Sequence, residues 1–261
     1  MAHISFSELR NWTHCPYYHK INYIDGLKTF KGNLFTAFGS AIHHVAEKLA
    51  LEEITQIEAP ELFKEAFFSE VEKLPDHEGL DEDLFTQMLS QGDELSTHIL
   101  PALNDFFGNF KLVGVEEQLY EDIKKPKEFE IGDKKFKGYI DLIIKTEDDK
   151  YRIIDWKSCG WGWDSRKKTD PMMTYQLAFY KHYYAQKYDI EPDQIETYFA
   201  LLKRTAKKDK VEIFRVTSGP KKINNALKLL HKALYNIKNE KFIKNRLNCK
   251  KCELYKTEYC P

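Results

Sequence analysis

Two apolar segments, Phe136 to Lys145 and Tyr151 to Lys157, flank the polar stretch Glu147-Asp148-Asp149-Lys150. Their isoleucine content and alternation predict strands, and the short polar turn predicts that they pair as an antiparallel hairpin. Side chains alternate along a strand, so Asp155 and Lys157 share a face, and hairpin pairing brings Asp141 beside it. An Asp-x-Lys on an exposed strand is usually only surface. Here the segment Tyr151-Arg-Ile-Ile-Asp-Trp-Lys is mostly apolar, so the charges close a buried strand, where an unliganded carboxylate is costly. Two carboxylates at one point suit Mg²⁺ or Mn²⁺, and a neighbouring lysine can position water or neutralise developing negative charge. That is equipment for metal-dependent cleavage of phosphodiesters.

The surrounding pattern predicts a mixed α/β fold, a central sheet flanked by helices. A short opening helix is capped by Ser5 or Ser7 and ends at Pro16. A second, Phe38 to Glu53, buries the stripe Ile42, Val45, Ala46 and Leu49. Residues 52–110 read as an acidic helical insertion or cap, interrupted near Pro75–Gly79 and at Pro101. Strand signals follow at Lys111–Val115, Glu128–Ile131, Ile195–Lys203 and Val211–Val216. Asp170-Pro171 opens a helix to about Tyr188, and another runs from Pro220 to about Glu240. The whole chain, 1–261, is read as a single nuclease domain.

Further patterns precede and follow the hairpin. Gly39-Ser-Ala-Ile-His43 sits on the second helix, where a lone histidine is more often a packing residue; His44 is its neighbour. Gln176-Leu-Ala-Phe-Tyr180 puts Gln176 and Tyr180 on one helix face. Glu116 and Glu117 follow the first core strand on opposite faces, and alternation does not choose between them. Trp156, Trp161 and Trp163 can stack on bases or simply pack. Arg166-Lys-Lys168 and the run Lys203, Arg204, Lys207, Lys208 and Lys210 are candidate phosphate contacts.

Cys15 stands near the start, and Cys249, Cys252 and Cys260 fall within the last 13 residues. Disulfides are not expected in such a chain. Four thiolates can hold either zinc or a [4Fe–4S] cluster, and spacing does not decide.

Gly138-Tyr-Ile-Asp141, Asp155-Trp-Lys157, Gln176-x-x-x-Tyr180, Gly39-x-x-x-His43 and the Cys15-Pro16 start together resemble the PD-(D/E)XK nuclease superfamily. The resemblance is to its RecB-like branch, with Cas4, AddB and exonuclease V type enzymes, and it covers almost the whole chain except about 52–110. It implies a restriction-endonuclease-like core. Asp141, Asp155 and His43 would be metal ligands, Lys157 the catalytic lysine, and Gln176 and Tyr180 its support or a contact to nucleic acid. It also implies a [4Fe–4S] cluster on Cys15, Cys249, Cys252 and Cys260, with zinc the alternative occupant, stapling 10–20 to 245–261. The expected activity is a Mg²⁺- or Mn²⁺-dependent deoxyribonuclease, an exonuclease on single-stranded DNA. The alternatives are a Cas4 protein trimming DNA for CRISPR spacer acquisition and a non-catalytic DNA-binding subunit of a recombination or repair complex.

Charge distribution agrees with a polyanionic partner. Residues 1–133 carry 11 Lys+Arg against 25 Asp+Glu, and residues 134–261 carry 29 against 16. The second half would attract DNA. No apolar run approaches the ~20 residues that span a bilayer, and the N-terminus lacks a signal core. The reading is a cytoplasmic protein with no membrane partner. Its expected partners are DNA, a possible second copy of the chain, and CRISPR or recombination proteins.

Overall fold

The computed structural model describes residues 3–28, 30–75 and 79–260, and the side chain of Lys251 is outside that description. Asp76, His77 and Glu78 of the expected interruption therefore lie outside the described residues, as do Met1 and Ala2 of the N-terminal segment. Strands β1 (His3–Ser5), β2 (Phe110–Asp122), β3 (Lys135–Thr146), β4 (Tyr151–Cys159), β5 (Ile195–Lys203) and β6 (Val211–Val216) form one mixed sheet. β2 pairs antiparallel along one edge of β3. On the other edge, β4 pairs antiparallel with Leu142–Lys145 and β1 pairs parallel with Lys135–Lys137. Between β1 and β4, that edge of β3 lacks a ladder partner over 138–141 among the described residues. β5 runs parallel to β4, and β6 closes the sheet antiparallel to β5.

Helices cover both faces. α1 (Phe6–His14), α8 (Pro171–Tyr188) and α9 (Pro220–Lys238) pack with Ile140, Ile143, Ile153, Phe199 and Leu201 into one core. α3 (Leu34–Ala50), α4 (Ala59–Glu72), α5 (Glu82–Ser96) and α6 (Ile99–Phe107) pack against Leu142, Ile144, Ile154, Trp156 and Ala200 on the other side. Each fully buried aliphatic or aromatic side chain contributes roughly 1.5–3 kcal/mol, so β4 and β5, buried on both faces, are strong anchors.

The helix starts follow local chemistry. Ser5 caps α1 by accepting from the Glu8 amide at 3.1 Å. Asn33 and Thr36 form a reciprocal capping box on α3. Asp170 caps α8 by accepting from the Met172 amide at 2.7 Å, with Pro171 in the first turn.

Several expectations change. β1 precedes the opening helix, and α2 (Pro16–His19) runs into one π-helical turn over Lys20–Ile24. The expected strand at Glu128–Ile131 is a loop, although Ile131 is buried in the core. Pro101 lies in the first turn of α6 and does not interrupt it, because an amide there has no intrahelical partner to lose. Among the described residues no helix is long and apolar enough to cross a membrane.

Candidate active site

The site forms where β3 and β4 part. Their ladder runs from Lys145↔Tyr151 to Leu142↔Ile154 and then stops. One residue further on, the Asp141 carboxylate takes the place of a ladder carbonyl, and the Trp156 amide donates to its Oδ2 at 2.7 Å. The side chain of Asp141 thus fills the fork. The alternation of β3 also slips there: Ile140 and Leu142 have the same parity but enter opposite cores. On β2 the same slip falls between Val115 and Leu119, around Glu116, whose φ is +49°. That left-handed conformation costs a non-glycine residue about 1 kcal/mol or more.

Asp155 and Lys157 share one face of β4, as alternation predicts. Asp155 is 1% exposed, while the Lys157 side chain is 25% exposed, with Nζ 2.5 Å from Asp155 Oδ2. The approach is not aligned as a hydrogen bond, and neither Asp155 oxygen has a hydrogen-bond partner among the described residues. Burial pushes the Asp155 carboxyl up to about 6, against the opposing pull of Lys157. Burial does the same to Asp141, also to about 6. In both carboxyls the cost of burial outweighs the pull of Lys157.

From the opposite wall, α3 brings His43, with Nδ1 3.8 Å from Asp141 Oδ2. Burial, helped by Lys157, holds the imidazole down to about 4, so it is neutral at pH 7 with a lone pair available. Gly39, one turn earlier, lets α3 approach β4: a Cβ there would lie 3.3 Å from Ser158 Oγ. His44 points instead toward Glu47, at 3.8 Å.

The fourth wall is α8. Gln176 Nε2 donates to the Tyr180 hydroxyl at 2.9 Å, so the pair acts as one unit. Tyr180 is buried against the backbone of Gly138, where a Cβ would meet its Cε1 at 2.9 Å. Burial raises its phenol well above the ordinary value, and Asp155 and Asp141 add to the effect, which puts the ring next to both carboxylates.

The two glutamates separate. Glu117 turns to α8, ion-paired to Lys187 at 2.5 Å and bonded by the Tyr188 hydroxyl. Burial raises the Glu116 carboxyl, and the charges of Glu47 and Asp155 add to the shift. Glu47, one turn after His43, is a member of this electrostatic group that sequence reasoning missed; its spacing of four from His43 was the available signal. Among the described residues no three His, Cys, Asp or Glu side chains stand close enough to hold one metal ion as they are. His43, Asp141, Asp155 and Lys157 are neighbours around the fork, without a closed shell.

Trp156 and Trp163 are buried, Trp163 against Phe199 and Phe214, and only Trp161, 78% exposed, presents a free ring of the three. The basic run is largely engaged within the protein. Lys210 pairs with Glu94 at 2.9 Å, Arg204 donates to Gln91 at 2.9 Å, and Lys168 pairs with Glu212. Arg166, Lys207 and Lys208 are exposed.

Cys15, Cys249, Cys252 and Cys260 line one small cavity. The tail is tied to α1 around it: Asn245 and Asn248 donate to the His14 carbonyl at 2.9 and 2.6 Å, and the Asn245 amide lies 3.3 Å from Cys15 Sγ. Burial raises the Cys252 thiol, and the other three cysteines add to the shift. Cys159 lies away from them, at the end of β4.

The mixed sheet, flanked by helices on both faces, thus carries Asp141, Asp155 and Lys157 at the fork of one hairpin. The chain belongs to the PD-(D/E)XK nuclease superfamily, whose model matches residues 3–261. Membership supports a nuclease. A solved structure of a candidate exonuclease from Eubacterium rectale superposes with a TM-score of 0.59, covering 97% of this chain and 86% of that chain at 14% identity; it bears on the fold alone. The structure of SSO0001 aligns over 95% of this chain and 93% of its own at 14% identity with a TM-score of 0.38. No curated protein matches the chain.

Proposed function

We propose that this protein is a metal-dependent DNA nuclease, an exonuclease on single-stranded DNA, with a [4Fe–4S] cluster tying its two ends together. The observation that carries the nuclease reading is Asp155: a buried carboxylate with no aligned hydrogen bond on either oxygen, ion-paired to Lys157 and beside Asp141 at the hairpin fork. Asp141, Asp155 and His43, with Glu116 behind them, are the residues that would hold Mg²⁺ or Mn²⁺. Their chemistry fits: two buried carboxylates and a neutral imidazole. A divalent ion there supplies an activated water and neutralises charge on the phosphate.

The chain's own groups do the rest. Lys157 keeps a mobile cation at the mouth of the fork, placed to orient water or meet charge on the scissile phosphate. The Trp156 amide fixes the Asp141 carboxylate. Gln176 and Tyr180 form the wall on which Lys157 and the substrate backbone would rest. The convergence of four cysteines on one cavity supports a cluster, which is larger than one ion and therefore needs its ligands wider apart. Zinc is the other occupant this donor set would take.

The test is cleavage of 5′- and 3′-labelled single- and double-stranded DNA with Mg²⁺, Mn²⁺ or EDTA, beside Asp155→Ala. Metal-dependent digestion of single strands from an end, lost in the variant, is expected. No cleavage by folded, cluster-loaded protein would sink the reading in favour of a binding subunit, and trimming only at a set length would favour the Cas4 role. Iron and acid-labile sulfide analysis of aerobically and anaerobically purified protein tests the cluster separately.

A further inference from the structure

Two clefts lie end to end along the seam between α1 and α8. The first, about 370 Å³, has Asp141 in its wall together with His3, Ser7, Lys137, Tyr139 and Gln176. The second, about 580 Å³, is lined by Arg10, His14, Tyr18, Phe30 and Met172 and reaches Cys252. The same helices wall both. On α1, Ser7 and Arg10 are three residues apart, and on α8, Met172 and Gln176 are four apart, so each pair shares a helix face. As α1 advances from the first cleft to the second, α8 recedes, so the two follow one another along the same pair of helices. They share no lining residue and form an interrupted furrow, from Asp141 in the first to Cys252 in the second.

Its lining suits a single nucleic-acid strand. Arg10 is exposed and has no ion pair among the described residues, and the Lys137 ammonium stands 5.7 Å from the centre of the Tyr139 ring. Phe30 is 55% exposed and is followed by exposed Lys31, with exposed Lys28 two positions before it. Each cleft falls within the roughly 300–1,000 Å³ of small-ligand sites. Aromatic faces interleaved with cations hold unstacked bases and their phosphates, and a duplex keeps its bases out of reach of such rings. Glu253 also borders the second cleft, where its carboxylate accepts from the Tyr18 hydroxyl at 2.9 Å.

The geometry points to this furrow as the track that delivers a single strand to Asp141, with Arg10 a phosphate contact and Phe30 a base-stacking platform. The inference rests on the nuclease reading for the direction of travel, but its binding surface can be tested without turnover. In an Asp155→Ala background, fluorescence anisotropy with labelled dT₄, dT₈ and dT₁₆ and a 16-base-pair duplex would compare Arg10→Ala, Phe30→Ala and Lys111→Ala. Lys111 is exposed and pairs with Lys145, at the far end of β3 from Lys137.

Phe30→Ala is expected to weaken dT₁₆ about fivefold or more. Arg10→Ala is expected to weaken it and to reduce the salt slope of binding by about 0.7. Lys111→Ala should bind as the parent does, and the duplex should bind more weakly than dT₁₆. Unchanged dT₁₆ affinity in both Arg10→Ala and Phe30→Ala overturns the track. Cleavage by the unsubstituted protein, run in parallel, keeps the two readings separate: cutting with an indifferent furrow removes the track alone, and furrow-dependent binding without cutting removes the nuclease alone.

Discussion

Strand β4 carries buried charge near its start and at its midpoint and treats the two in opposite ways. At its start, Arg152, with an 11% exposed side chain, pairs with Asp148 at 2.6 Å and Glu196 at 2.7 Å. Glu196 in turn accepts from the Tyr198 hydroxyl at 2.7 Å and pairs with Arg215 at 2.9 Å. Three residues along, Asp155 is buried with no hydrogen-bond donor on either oxygen, and its one close cation is a partly exposed lysine. The first arrangement compensates desolvation with two carboxylates around one guanidinium: Nη2 donates an aligned bond to Asp148, while Nη1, like the Asp155 oxygens, meets its partner without one. The second leaves it standing, and a folded chain retains such a cost where the missing partner comes from outside.

The largest effect expected to sharpen this contrast is on turnover. Asp155→Asn should lower DNA cleavage by about a thousandfold or more, while the metal-free protein keeps or gains thermal stability, because a buried charge is removed. A large fall in melting temperature would place Asp155 with Arg152 as a structural charge. Arg152→Ala should do the reverse. Removing one partner from a buried network costs about 3 kcal/mol or more, measured by urea unfolding, with kcat for cleavage within a few-fold of the parent.

Next come the adjacent glutamates. Glu116→Gln should reduce cleavage by about 10–100-fold, as loss of a group supporting a metal site does. Glu117→Gln, which only breaks the contacts to Lys187 and Tyr188, should leave kcat within a few-fold. Equal effects would erase the distinction between the two residues.

The smallest effect is in the pH dependence of the metal-free protein. Asp155 titrates near 6 in the fold against ~3.9 unfolded, so between those values the folded state binds more protons than the unfolded one. Stability therefore rises as pH falls from 7 to 5, by about 1 kcal/mol for this group. Asp155→Asn should remove that part of the slope, and saturating Mg²⁺ should oppose it by favouring the ionised carboxylate. A wild-type slope unchanged by Asp155→Asn would contradict the assignment.

What could be read from the sequence follows the same division. β5, β6 and α8 were legible because each is strongly patterned, through an aromatic and aliphatic run in β5, Val/Ile content in β6 and the Asp170-Pro171 start for the helix. The fork was legible in outline, since alternation alone puts Asp155 and Lys157 together. The choice between Glu116 and Glu117 was not, because alternation only puts them on opposite faces, and the positive φ at Glu116 interrupts even that. β1 escaped notice because three residues carry no period; its partners on β3 lie about 130 positions away. Glu128–Ile131 misled because Ile131 is buried like a strand residue, yet Pro126 and Gly132, with φ +79°, bound a loop. The track along α1 and α8 is a product of packing, and no single segment announces it.

The most direct test of the central claim is calorimetric titration of Mn²⁺ into the wild-type protein, Asp155→Asn and Arg152→Lys at pH 7.5. Binding that is present in the wild type and in Arg152→Lys but lost in Asp155→Asn is the predicted result. Mn²⁺ binding of equal affinity in Asp155→Asn would show that the buried Asp155 carboxylate in the β3–β4 fork is not where the cation goes.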